Sequence, residues 1–145
     1  MIFLGGDKHG LTVIKIVEEY LKKNKIDFVN RGIINKDDDI KLEELIPKVA
    51  KDISNSKDNK GILVCGTGVG VAVGANKIKD IRAALATDKK IAEWSVVYDN
   101  CNVLCLSGWK KNKKTIYAIL KAFLNARYDG SERRLKMLQA FESWR

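Results

Sequence analysis

Gly61-Ile62-Leu63-Val64-Cys65 runs without a break into Gly66-Thr67-Gly68-Val69-Gly70, and small residues follow to Ala75. A short apolar run closed by glycines reads as a strand buried on both faces, and the small residues as a helix packed close to that sheet. The same alternation extends outward in both directions. Upstream, Ile2-Phe3-Leu4 ends in Gly5-Gly6, residues 12–23 place Val13, Val17, Tyr20 and Leu21 on one helical face, and Ile26 to Val29 forms a second strand. Leu42, Leu45, Ile46, Val49 and Ile53 then make a stripe at helical spacing. Downstream, residues 81–86 form a strand, 88–98 a helix, and Asn102 to Leu106 a fifth strand. Ile116, Ile119, Leu120, Phe123 and Leu124 mark an amphipathic helix, and Ser131 caps a last one striped with Leu135, Leu138 and Phe141. Strand–helix alternation repeated five times predicts an α/β fold with a five-stranded parallel sheet covered on both faces. Right-handed crossovers put every strand's carboxyl end on one edge, which is where such folds bind ligands. The loops at 5–10, 65–70 and 86–88 and the segment after Leu106 share that edge.

With 145 residues, 46% hydrophobic and 31% charged, the chain has the size and composition of one domain, expected to span 1–145. No apolar run approaches the ~18 residues of a membrane span. Met1-Ile2-Phe3-Leu4 meets Gly5-Gly6-Asp7-Lys8 before any signal-peptide core develops, so a cytoplasmic location is expected. The net charge is +9, and residues 106–145 hold ten Lys/Arg against three Asp/Glu. That balance fits a basic nucleic-acid-binding face or cations that hold a small anion. No nucleic-acid motif accompanies it, so neither nucleic acid nor membrane is the expected partner. Asp37-Asp38-Asp39 could bind a cation but reads as a solvated turn. Cysteines at 65, 101 and 105 and a single histidine, His9, fit free thiols, with no disulfide framework and no zinc site.

The loop 66–70 follows a strand and opens a helix, so it offers backbone N–H groups and the positive end of a helix dipole to an anion. It is not a Walker A loop, because no Gly-Lys-Ser/Thr closes it. It is not the dinucleotide fingerprint, because Val71 stands where the third glycine belongs. A phosphatase loop would carry arginine where Val71 and Ala72 stand. What remains is Cys65, a thiol at a strand end beside a nest of amides, where its thiolate is favoured as base or nucleophile. Cys101 and Cys105 read as small buried hydrophobes, and His9 by itself as a polar surface group.

Val64-Cys65-Gly66-Thr67-Gly68-Val69-Gly70, with Ala75-Asn76-Lys77 and Ile81-Arg82-Ala83-Ala84-Leu85, resembles the ribose-5-phosphate isomerase B and galactose-6-phosphate isomerase family. Gly5-Gly6-Asp7-Lys8-His9-Gly10, Asn102-Val103-Leu104 and Tyr128-Asp129-Gly130 extend the resemblance over nearly the whole chain. It implies a Rossmann-like three-layer α/β/α domain that interconverts aldose and ketose phosphates without metal or organic cofactor. It also implies a homodimer or dimer of dimers whose active sites are shared between subunits. Cys65 matches the family's base, the amides of 66–70 its oxyanion hole, and Thr67 a hydroxyl on the reacting sugar oxygens. Asp7 matches the carboxylate that assists ring opening. Lys8, His9, Gly66, Gly68, Val69, Gly70, Tyr98, Asp99, Arg133 and Arg134 fall at substrate-binding positions.

The chain also departs from that family. Lys8 stands for its first histidine, with His9 shifted by one, and Tyr98-Asp99 stands for a His-Asn pair. Trp109 occupies the place of a phosphate-binding arginine, beside Lys110 and Lys111. A tyrosine with a pKa near ~10 is a poor proton shuttle at neutral pH, so ribose 5-phosphate is not the expected preferred substrate. Trp109 points to a shorter or differently held one. Three readings follow: an active isomerase, a non-catalytic subunit or sugar-phosphate sensor on the same fold, and a nucleic-acid binder. The intact thiol and glycine loop favour the first. Leu135, Leu138, Phe141 and Trp144 on the last helix further predict a two-fold dimer that carries Arg133 and Arg134 toward a neighbour's glycine loop.

Overall fold

The computed structural model describes residues 1–145, and five short strands carry its architecture. They are β1 (Ile2–Gly6), β2 (Phe28–Asn30), β3 (Lys60–Cys65), β4 (Ala83–Leu85) and β5 (Val103–Ser107). All pair in parallel, in the order β2-β1-β3-β5-β4. Six helices alternate with them: α1 (Leu11–Lys23), α2 (Leu42–Ser54), α3 (Val69–Ala75), α4 (Lys89–Asp99), α5 (Lys113–Asn125) and α6 (Glu132–Ser143). This is the α/β fold with the five-stranded parallel sheet expected from the alternation.

Side chains on a strand point alternately to the two faces, and this divides the core. Ile62 and Val64 of β3, with Leu104 and Leu106 of β5, pack against α1, α4 and α5. Leu63, Cys65, Val103 and Cys105 pack against α2 and α3. Helices therefore cover both faces in three layers, and the strand period alone assigns the Cys65 thiol to the α2/α3 side. The three central strands, β1, β3 and β5, are mostly buried, and the edge strands β2 and β4 are half-buried. Leu4, Ile62 and Leu104 are fully inaccessible, each contributing about 1.5–3 kcal/mol by leaving water.

Two strands begin later than their apolar runs suggest. The chain leaves α1 through Lys25 at φ 54°, and the Ile26 N–H still donates to the Leu21 carbonyl at 2.9 Å, so β2 starts only at Phe28. Ile81 donates to the Ile78 carbonyl at 3.2 Å, and the Arg82 N–H goes to the Asn102 side chain at 2.9 Å. Both N–H groups are thereby taken outside the ladder, and β4 is confined to Ala83–Leu85. Helix starts follow side-chain chemistry: Asp88, Asn112 and Ser131 accept from the third residue onward, as N-caps do. Asp38 folds its carboxylate onto the N–H groups of Ile34 and Asn35, which holds its pKa below the usual value and makes the acidic stretch a turn. No helix is long and apolar enough to cross a membrane.

Candidate active site

In this strand order, β1 and β3 are neighbours whose following connections lead to opposite ends of the sheet. The crevice at their carboxyl ends is the topological switch point where open α/β sheets bind ligands. Asp7 leaves β1 there and Cys65 ends β3 there. The Asp7 N–H donates to the Val64 carbonyl at 3.2 Å, so the two chain segments are joined at the last rung of the ladder.

Cys65 is 5% exposed, and its Sγ lies 3.7 Å from the point where a Cβ at Gly70 would stand. The thiol thus looks toward the first turn of α3, and the missing side chain at Gly70 leaves the approach to it open. Thr67 Oγ1 accepts the Val69 N–H at 3.0 Å, which fixes the hydroxyl oxygen and leaves its proton free to donate outward. The N–H groups of Thr67 and Gly68 are taken by no acceptor of the chain. Gly68 turns the loop at φ +79°, and a Cβ there would meet Leu85 at 2.6 Å and the Leu106 carbonyl carbon at 2.9 Å. That position combines a left-handed backbone with a close approach, which only glycine tolerates.

The other loops close in on the same point. Asp7 Oδ1 accepts the His9 N–H at 3.0 Å and caps a single 3₁₀ turn, Lys8–Gly10. That leaves the second carboxylate oxygen of a half-buried Asp7 unclaimed, with Lys8 and His9 exposed beside it. After β5, Gly108 donates to the Cys65 carbonyl at 2.7 Å, and Ser107 Oγ donates to the Gly66 carbonyl at 2.7 Å. Trp109 lays its indole on Gly66 and meets the His9 ring edge-on at 6.0 Å between centroids. The structure therefore gathers Asp7, Lys8, His9, Cys65, Gly66, Thr67, Gly68, Val69 and Gly70 at one edge.

It places the remaining expected residues elsewhere in the chain. Tyr98 and Asp99 end α4, next to the start of β5, where the Asn102 carbonyl accepts from Gly61 at 2.8 Å. Gly61 and Cys65 lie four residues apart on β3, so the two ends are separated by roughly 13 Å of strand. Arg134 stays at that far end, stacked on the Tyr98 ring at 4.9 Å and paired with Asp99 at 3.5 Å. Arg133 precedes it on α6, a helix with no buried residue. One chain does not bring these four to Cys65. Besides Trp109, which the resemblance already names, Ser107 and Gly108 are site residues that the sequence pattern did not single out. The available signal was only their place, immediately after a strand on the ligand-binding edge.

The other two thiols sit in different surroundings. Cys105 shares the face of Cys65 one strand over, fully buried, and burial pushes its thiol far above the ordinary value. Cys101 lies at the amino edge, where burial and then the Asp99 carboxylate push it up to about 12. Both stay protonated at neutral pH.

The ribose/galactose isomerase family model matches residues 2–140. The chain belongs to that family. It is 37% identical over 144 residues to the probable ribose-5-phosphate isomerase B of Mycoplasma genitalium, a match covering 97% of this chain and 95% of that protein. A crystal structure of the Mycoplasma genitalium ribose-5-phosphate isomerase B with bound ribulose-5-phosphate has a TM-score of 0.89 and 35% identity, covering 99% of this chain and 94% of that one. The D-erythrulose-4-phosphate isomerase 2 of Mycolicibacterium smegmatis is 28% identical over 130 residues, 88% of this chain and 86% of that protein. As a member of the ribose/galactose isomerase family, the chain is a sugar-phosphate isomerase.

Proposed function

We propose that this isomerase interconverts an aldose and a ketose phosphate of four to six carbons with Cys65 as the base. The observation that carries this reading is the Cys65 thiol at the switch-point edge, open toward Gly70 and followed by a loop whose Thr67 and Gly68 N–H groups have no acceptor in the chain. The Cys65 thiolate takes the proton from the carbon beside the carbonyl. The released electron pair forms the C=C bond of an enediol, and the carbonyl π pair moves onto oxygen. Donors fixed beforehand around that oxygen lower the barrier by several kcal/mol, ~3 for each well-placed one. The thiol then returns its proton to the neighbouring carbon, while the hydroxyl proton passes between the two sugar oxygens beside Thr67. Asp7, with one oxygen free, accepts from a ring hydroxyl and assists opening. Base, donors and carboxylate all come from side chains and backbone.

Tyr98, Asp99, Arg133 and Arg134 complete the site in this reading from a second subunit of a homodimer or dimer of dimers. Their distance from Cys65 within one chain supports that arrangement, as do Leu135, Phe141 and Trp144, each at least 42% exposed. Arginine suits the phosphate end of the substrate because its fork binds phosphate oxygens in pairs.

The test is turnover of four-, five- and six-carbon aldose phosphates in deuterium oxide, followed by NMR. Isomerisation with deuterium entering the carbon-bound position is expected. Wild-type protein that binds these sugars without turning any over would instead establish the sensor reading. Mixing Cys65→Ser with Arg134→Ala chains tests the sharing, since mixed dimers regain one intact site. Two inactive variants that stay inactive when mixed would refute the shared site.

A further inference from the structure

Trp109 is the largest side chain at the carboxyl edge to which the proton-transfer chemistry gives no task. Its backbone is tied down on both sides: the N–H donates to the Gly66 carbonyl at 3.3 Å and to Ser107 Oγ at 3.2 Å. Its six-membered ring lies on Gly66, where a Cβ would stand 2.6, 2.9 and 3.1 Å from Cζ2, Cε2 and Cη2. The His9 ring meets it at 77°. Held between Gly66 and His9, the indole is nevertheless 61% exposed. An aromatic ring fixed in place at the mouth of a site, with much of its surface left to solvent, offers a ligand a large apolar face.

The charge distribution of the ring says what kind of contact. An indole face is negative and its rim positive, so the face attracts polarised C–H bonds and cations and repels a phosphate dianion. The carbon chain of a sugar phosphate fits against it and the phosphate does not. We infer that Trp109 is a specificity-determining residue: a wall over Gly66 against which the substrate's carbon chain lies, limiting its length. The inference deepens the isomerase reading and rests on it for the class of ligand. Room for a single carbon discriminates ligands by ~10–200-fold, so removing a whole indole has a measurable consequence.

Binding of unreactive open-chain sugar-alcohol phosphates tests this apart from catalysis. Erythritol 4-phosphate, ribitol 5-phosphate and glucitol 6-phosphate would be titrated by calorimetry into wild type, Trp109→Phe and Trp109→Ala. The expected result for Trp109→Ala is a shift of about tenfold or more in the six-carbon to four-carbon affinity ratio, toward the longer chain. Trp109→Phe, which keeps a ring over Gly66, should stay within about threefold of wild type. Equal ratios in all three proteins would overturn the inference. So would a uniform loss of affinity for every length, because Trp109 would then only support the loop. If the ratio shifts as expected while wild type turns over no aldose phosphate, the isomerase reading fails and the wall stands. If wild type turns over aldose phosphates but binds none of the three, the wall falls and the isomerase reading stands.

Discussion

The loop after β3 and the turn that launches α6 each hinge on a left-handed glycine, Gly68 at φ +79° and Gly130 at φ +78°, in opposite surroundings. A Cβ on Gly68 would press into Leu85 and the Leu106 carbonyl, whereas a Cβ on Gly130 would meet nothing within 4 Å. The contrast extends to both regions. At the carboxyl edge, backbone packs on backbone: the place for a Cβ on Gly108 is 2.1 Å from the His9 carbonyl oxygen, and that on Gly32 is 2.5 Å from the Gly6 nitrogen. Groups held in this way cannot drift by an ångström, which positioned bases and donors require. At the amino edge, α6 is fastened to α4 by Arg134 on Tyr98 and Asp99 and by the Asp129 N–H on the Val97 carbonyl. It buries nothing of its own. One region is an interior built to hold geometry, and the other is a surface held by a few exposed contacts.

The largest expected effect concerns the thiols of the two regions. Cys65→Ser should keep the fold and lower turnover by ~10² or more, the usual cost of losing a general base. Cys101→Ser, at the amino edge, should leave turnover unchanged. Near-normal steady-state rates for Cys65→Ser on a substrate that wild type isomerises would remove Cys65 from the mechanism. Next in size is Gly68→Ala. The left-handed backbone costs a Cβ ~1 kcal/mol, and the pressed neighbours ~1–3 kcal/mol more. Urea unfolding should show a loss of about 2–4 kcal/mol, with a fall in kcat because the donors of the loop move. A loss below about 1 kcal/mol would mean that the loop yields and that the rigid-edge description is wrong.

The interior was far more legible in the sequence than the surface. Ile62 to Cys65 can only be a strand, and its period of two fixes the face of each side chain. The caps at Asp88, Asn112 and Ser131 are local chemistry that one residue announces. Strand starts were less legible because Ile26 and Ile81 are apolar for a different reason: where the chain turns out of a helix, Ile81 is buried and Ile26 is partly buried against the core. The site was legible where it is contiguous, from Cys65 to Gly70. For Ser107 and Gly108 only the edge was legible; their bonds to the Cys65 and Gly66 carbonyls come through the pairing of β3 with β5, a long-range fact that no local pattern carries. For the same reason, the sequence could not place Tyr98, Asp99 and Arg134 relative to Cys65. Their separation follows from α4 running back along the sheet.

A smaller effect separates the amino edge by pH. The Cys101 thiol, 9.0 in an ordinary setting, is pushed up to about 12 by burial and by Asp99. Folding therefore retains a proton that the unfolded chain gives up above pH 9. The resulting stability is fully present below pH 9 and is lost as pH rises from 9 toward 12. One pH unit above the unfolded value corresponds to about 1.4 kcal/mol. Comparing the urea stability of wild type and Cys101→Ala at pH 8 and pH 10 should show the wild type losing about 1.4 kcal/mol more. Equal losses would mean that Cys101 ionises in the folded chain as easily as in the unfolded one.

The smallest expected effect returns to Gly130. Gly130→Ala imposes the left-handed penalty alone, because no atom stands near the new methyl, so the loss should be about 1 kcal/mol. Since Gly130 is remote from Cys65 within the chain, exchange of substrate protons at the base should continue at its normal rate. The measurement sharpens the contrast when made at two protein concentrations. In a dilute monomer the cost should be the backbone penalty and nothing else. If α6 packs on a neighbour, the turn that aims it acquires contacts that one chain lacks. The same substitution should then cost more at concentrations where light scattering finds dimers. A cost as large as that of Gly68→Ala in the dilute monomer would break the comparison, because it would place Gly130 in an interior that this fold does not give it.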